Sequence, residues 1–225
     1  MTIKNYILRV LLAVSLTLAT GVSPAVLRAQ ESIPASVDNS KLKYFPPLIN
    51  QIGGSCAQAS YIGYMFTYEM NRLLDRDASE NKDNQFSYLY TWNFINGGVD
   101  EGSLGTDGLQ IAFEGGIATE ADFPSQYTSS QFKWTSGYEN YLKALHYRVK
   151  KIRTFNVLNR EGVDKVRNYL WNRGESGKSG GIVTFSSRSG SWTINTNYSG
   201  PSETGYKALL TKLSPTLKRR SSIVS

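Results

Sequence analysis

The chain has 225 residues, 40% of them hydrophobic and 12% aromatic, enough for one large or two small globular domains with a proper core. Its formal charge of +7 sits at the two ends. Lys4, Arg9 and Arg28 lie near the start, and Lys207, Lys212, Lys218, Arg219 and Arg220 near the end, so the body between is close to neutral. No basic face with interleaved aromatics supports nucleic-acid binding. His146 is the only histidine and Cys56 the only cysteine, which excludes a multi-histidine metal site and any intramolecular disulfide.

Residues 1–29 read as a secretory signal. Lys4 and Arg9 precede the apolar run Val10 to Val22, too short to span a bilayer, and cleavage is expected near Ala29. The expectation is an exported, periplasmic or extracellular protein with no stable membrane insertion after cleavage. A lone thiol in an oxidising compartment is an oxidation risk, which a site that needs the thiol for chemistry tolerates and a core position could avoid with Ala or Val. The competing reading is that Cys56 is simply a small buried apolar residue.

Residues 30–50 form a lead-in arm, because Pro34, Pro46 and Pro47 disfavour helix. From Cys56 to about Asp75, Ala59, Ile62, Met65, Phe66, Met70, Leu73 and Leu74 recur at three- and four-residue spacings, which predicts a largely buried helix. Cys56 stands at its N-terminus, where unpaired N–H groups and the helix dipole favour thiolate over thiol. Phe86–Phe94 predicts a second helix stopped by Asn96-Gly97-Gly98, followed by a glycine-rich loop to Asp107. Asp107 is expected to cap a short helix, Leu109–Phe113, closed by Gly115-Gly116. Thr119 to Pro124 reads as a turn, and residues 125–136 as a linker between halves.

In the second half, Tyr147–Val157 suggests a strand, and Val163, Val166, Leu170 and Trp171 an amphipathic helix ending near Gly174. Gly181–Phe185 is a strand by its β-branched content, and Trp192–Tyr198 a further candidate. Gly174 to Ser179 superficially matches a phosphate loop, but lacks its first glycine and lies between a helix and a strand in the wrong order, so it reads as a turn. His146 reads as an ordinary structural histidine.

The stretch from Gln51 through Gly53-Gly54-Ser55-Cys56-Ala57 resembles the papain-like cysteine peptidases, whose signature has a Cys where Gly53 stands and an aromatic where Ala57 stands. Asn96-Gly97-Gly98 resembles that family's substrate-binding glycine pair, and Phe113-Glu114-Gly115-Gly116-Ile117 to Phe123-Pro124 its stretch after the next helix. The resemblance runs over about residues 44–124, in the family's order. It implies an α+β, papain-like fold with a helical left half on the Cys56 helix and an antiparallel sheet half, here incomplete. It implies Cys56 as nucleophile, Gln51 with the Cys56 N–H as oxyanion donors, Gly97 and Gly98 as binders of substrate backbone, a peptide or protein substrate, no cofactor, and a monomer.

The family's histidine is expected about 130–150 residues past the cysteine, near residues 186–206, and none stands there. Gly181–Phe185 and Gly200-Pro201 follow the family plan, but Lys207–Leu213 lead into a basic stretch. The expected organisation is therefore a signal (1–29), an arm and helical half with the nucleophile (30–130), a partial β-rich half (131–213) and a disordered basic tail (214–225). Truncation before the catalytic His and Asn is expected, leaving a peptidase inactive or weak. The alternatives are a catalytically dead peptide-binding protein using the same groove, or His146 as an unexpected base.

Overall fold

The computed structural model describes residues 32–125 and 133–186, and the backbone of 222–224. All but the first two belong to one compact unit, Pro34–Ser225. The expected signal, the Trp192–Tyr198 strand, the Gly200-Pro201 loop and Lys207–Leu213 lie outside the described residues.

The organising element is helix α1, residues 56–74, an unbroken run with three parts. Cys56–Gln58 makes a first α-helical turn, Ala59–Phe66 a wider π-helical stretch, and Thr67–Leu74 a regular α-helix. It ends where Asp75 turns left-handed at φ 53°. Its middle is sunk in the core, as its apolar spacing foretold, with Ile62 and Tyr68 wholly buried. The π stretch was not legible in the spacing; such turns are commonly short and frequent near functional sites. Gly63, within it, leaves room for Ile49, whose Cδ1 lies 2.5 Å from where a Cβ would stand.

The arm lies on this helix. Phe45 packs on Tyr64 and Tyr44 edge-on to Tyr68, with centroids 5.6 and 6.0 Å apart, and the Ile49 N–H donates to Tyr64 Oη at 2.7 Å. Only Asn39–Lys41 coils, as a single 3₁₀ turn.

Helix α2, Tyr88–Ile95, is capped by Ser87, whose Oγ accepts from the Tyr90 N–H at 3.2 Å. Tyr88, Leu89 and Trp92 are buried in the core. Helix α3, Gly105–Glu114, corrects the expected Leu109–Phe113: it starts a turn earlier, and Asp107 lies inside its first turn instead of capping it. Glycines are poor helix residues, and packing supplies the reason. A Cβ on Gly105 would sit 2.3 Å from the Tyr61 ring, and one on Gly108 1.8 Å from Gln58 Oε1. These two glycines, three apart and so on one face, let α3 lie against α1. Gly115 and Gly116 close α3 through N–H bonds to the Ile111 carbonyl, as expected.

Helix α4, Tyr138–Ala144, had no counterpart in the sequence reading. It docks where Gly116, at φ 77°, gives way to the Ala144 carbonyl. Of the expected Tyr147–Val157 strand only β1, Thr154–Asn156, is a strand. Tyr147 and Val149 instead bond to Ile117 and Ala112, next to α3. Helix α5, Arg160–Asn172, matches expectation in extent, but its buried face is Gly162, Val166, Tyr169 and Asn172, leaving Val163 exposed. Strand β2, Thr184–Phe185, is the end of the expected Gly181–Phe185 strand; Gly180 and Gly181 pack against the Leu170 carbonyl and the Tyr169 ring.

The sheet is antiparallel with order β1-β3-β2, where β3 is Ser222–Val224. Thr154 pairs with Val224, Phe155 with Ile223, and Thr184 with Val224. This corrects the expected tail at 214–225 for three residues: Ile223-Val224 is a β-branched pair in an otherwise basic and polar stretch, and such a pair suits a strand. The result is a mixed fold, helical around α1 with a small sheet beside α5. No helix among the described residues is long and apolar enough to cross a membrane.

Candidate active site

Cys56 is the first residue of α1 and its thiol is exposed, which removes the reading of a buried apolar cysteine. Its N–H, the first of the helix, has no acceptor among the described residues. The preceding turn is fixed from inside. The Ser55 N–H donates to the Ile52 carbonyl at 3.3 Å, and the one proton of the buried Ser55 Oγ goes to that same carbonyl at 2.5 Å, with the Gln51 amide 3.1 Å from the hydroxyl. Gln51 is exposed, and its NH₂ makes no hydrogen bond among the described residues. Tyr88 lies beside Ile52 and Ser55, and burial pushes its phenol up to about 12, so a neutral ring underlies the turn.

The glycine loop meets this turn. Gly53, at φ +51°, and Gly54 lie so close to residues 100–102 that a Cβ on either would stand 2.2 Å from Asp100 Oδ1 or 2.6 Å from the Glu101 carbonyl. The Gly54 N–H donates to Asp100 Oδ1 at 2.6 Å. Trp92 Nε1, from the buried face of α2, donates to the Glu101 carbonyl at 2.9 Å.

Gly97 and Gly98, at φ +64° and +81°, occupy open space with nothing within 4 Å of either Cβ position. The Gly98 N–H is taken by Asn96 Oδ1 at 2.8 Å, whereas both glycine carbonyls accept no hydrogen bond among the described residues. A partner strand would find carbonyl acceptors here.

The site rests on Gln58, two residues after Cys56 and so on the other side of the helix, wholly buried. Its Nε2 donates to Ser103 Oγ (3.0 Å) and the Leu104 carbonyl (2.9 Å), and its Oε1 accepts from Thr91 Oγ1 (3.0 Å). It ties α1 to α2 and to the loop entering α3. The sequence signal for it was present but unused: a Gln on the apolar face of a buried helix needs polar partners.

His146 is exposed and follows α4. Its neighbour Tyr147 bonds to Ile117, past the C-terminal end of α3, while the other end of α3 touches Tyr61 and Gln58. Gln58 meets α3 at Gly108, about 9 Å of helix before Glu114, and no hydrogen bond or ion pair joins His146 to the Cys56 turn among the described residues. No group of three His, Cys, Asp or Glu side chains among the described residues could hold a metal ion. Gly174 and Gly177, with positive φ, make the expected turn after α5.

No family model matches the chain, and no curated relative matches it. Among solved structures it is similar to xylellain, a cysteine protease from Xylella fastidiosa, with 18% sequence identity and a TM-score of 0.45. The alignment covers 62% of this chain and 53% of xylellain, so the chain spans about half the length of that structure.

Proposed function

We propose that the chain carries the nucleophile half of a papain-like cysteine peptidase site, in an exported protein that engages peptide or protein substrates as a monomer. The observation that carries the reading is the exposed Cys56 thiol at the first turn of a buried helix, its glycine turn pinned to the loop that opens at Gly97 and Gly98. In this reading a substrate strand donates its N–H groups to the open carbonyls of Gly97 and Gly98. The Cys56 sulfur attacks the scissile carbonyl, and the Cys56 N–H and the Gln51 NH₂ receive the oxyanion. The amine leaves with a proton, and water hydrolyses the thioester.

The weak point is the proton. His146, the one imidazole in this sequence, is at the far end of α3, so in this reading water accepts the thiol proton and turnover is slow. That same separation favours a second reading, peptide binding without turnover. The experiment is mass spectrometry after exposure to a peptidyl epoxide. The first reading expects an adduct on Cys56 and slow cleavage of a fluorogenic peptide, both lost in Cys56→Ser. Peptide binding unchanged by Cys56→Ser, with no cleavage by the parent chain, establishes the second.

A further inference from the structure

We propose that Asp100 is a positioning residue for Cys56, clasping the nucleophile turn to the glycine loop. The proposal rests on the reading of Cys56 as nucleophile. Its evidence is a set of contacts that only this backbone permits. Asp100 Oδ1 accepts from the Gly54 N–H at 2.6 Å, a short charge-assisted bond. Gly53 is left-handed at φ +51°, and any side chain there would collide with the same carboxylate, the Cβ standing 2.2 Å from Oδ1. Gly54 meets the Glu101 backbone carbonyl at 2.6 Å, the stricter limit, since backbone cannot swing aside as the Asp100 side chain can.

The loop is anchored from its other side. The Trp92 indole holds the Glu101 carbonyl, the Glu101 N–H donates to Val99 O at 3.0 Å, and Asn96 Oδ1 holds the Gly98 N–H. A continuous path of bonds thus runs from the buried Trp92 through residue 101 to Asp100, across to Gly54, and two residues along to Cys56. Substrate held at Gly97 and Gly98 is placed relative to the thiol through this path.

Replacing Asp100 by Asn and by Ala tests the clasp, since Asn keeps an acceptor for the Gly54 N–H and Ala does not. The readouts are second-order rates of Cys56 modification by iodoacetamide and by a peptidyl epoxide, and the hydrogen-exchange rate of the Gly54 amide, in variants with the circular dichroism of the parent. Both variants should react with iodoacetamide at the parent's rate, since the small reagent needs no contact with the glycine loop. With the peptidyl epoxide, Asp100→Asn should match the parent, and Asp100→Ala should fall about tenfold below it as the turn and the glycine loop lose their register. Equal epoxide rates for the two variants overturn the clasp. If the epoxide reacts with the parent no faster than its warhead alone, the peptidase reading fails instead, while Gly54 exchange equally fast in the parent and in Asp100→Ala still overturns the clasp.

Discussion

Substituting Gly108 by Ala tests the packing that sets the floor of the site. The new methyl would stand 1.8 Å from Gln58 Oε1, and relieving that overlap moves the amide by about 1.5 Å. The amide is held by Thr91, Ser103 and the Leu104 carbonyl at 2.9–3.0 Å in a fully buried position, so displacement forfeits two or three hydrogen bonds at about 1 kcal/mol each. Alanine returns up to about 1 kcal/mol of helix propensity. The net expectation is a loss of about 2 kcal/mol, read from the urea midpoint, or about 4–8 °C in Tm for a chain of this size. Gln58→Ala alone should cost about 3 kcal/mol, since all three bonds vanish. Combined with it, Gly108→Ala has no amide to collide with and becomes neutral or mildly stabilising, a coupling of about 2 kcal/mol. If Gly108→Ala costs the same in both backgrounds, the proposed opposition of Gly108 and Gln58 is wrong.

Two further expectations concern the frame around the site. Arg173 pairs with Glu69, with side-chain exposures of 13% and 24%, while its Nη1 donates to Tyr169 Oη, so it fastens α5 to α1. Arg173→Met should cost about 2 kcal/mol, less than a fully buried pair, with part of the loss recovered when Glu69 is also made Gln, as urea unfolding of the single and double variants would show. Tyr88 and Tyr90, pushed up to about 12 by burial, should ionise later than free tyrosine, followed at 295 nm. The unfolded chain then releases their protons from about pH 10 while the folded protein holds them to about 12. Stability is thus complete below pH 10 and falls between 10 and 12, visible as a declining urea midpoint.

The parts legible in the sequence are those fixed by local pattern. The apolar spacing after Cys56 marks α1, the aromatic run from Phe86 to Phe94 marks α2, and Asn96-Gly97-Gly98 marks the stop between α2 and the open loop. What escaped depends on partners far along the chain. Gly105 reads as a loop glycine, and Gly108 falls before the expected helix, because nothing nearby shows that Tyr61 and Gln58 await them. The alternation at Tyr147–Val157 suggested one strand, yet Tyr147 and Val149 spend their backbone bonds beside α3, leaving three residues for β1. Ser222–Val224 is too short to stand out from a basic stretch, and it is a strand only because β1 and β2 flank it. Asp100 carries no local mark at all, since its partner Gly54 lies 46 residues earlier.

The most direct measurement is the rate at which a peptidyl epoxide modifies Cys56, relative to iodoacetamide, in the folded protein and in urea. Preference for the peptidyl reagent in the folded state, lost on unfolding, is expected if the turn at Cys56 and the carbonyls of Gly97 and Gly98 present a peptide to the thiol. The same ratio in both states would mean that Cys56 is an exposed cysteine and nothing more.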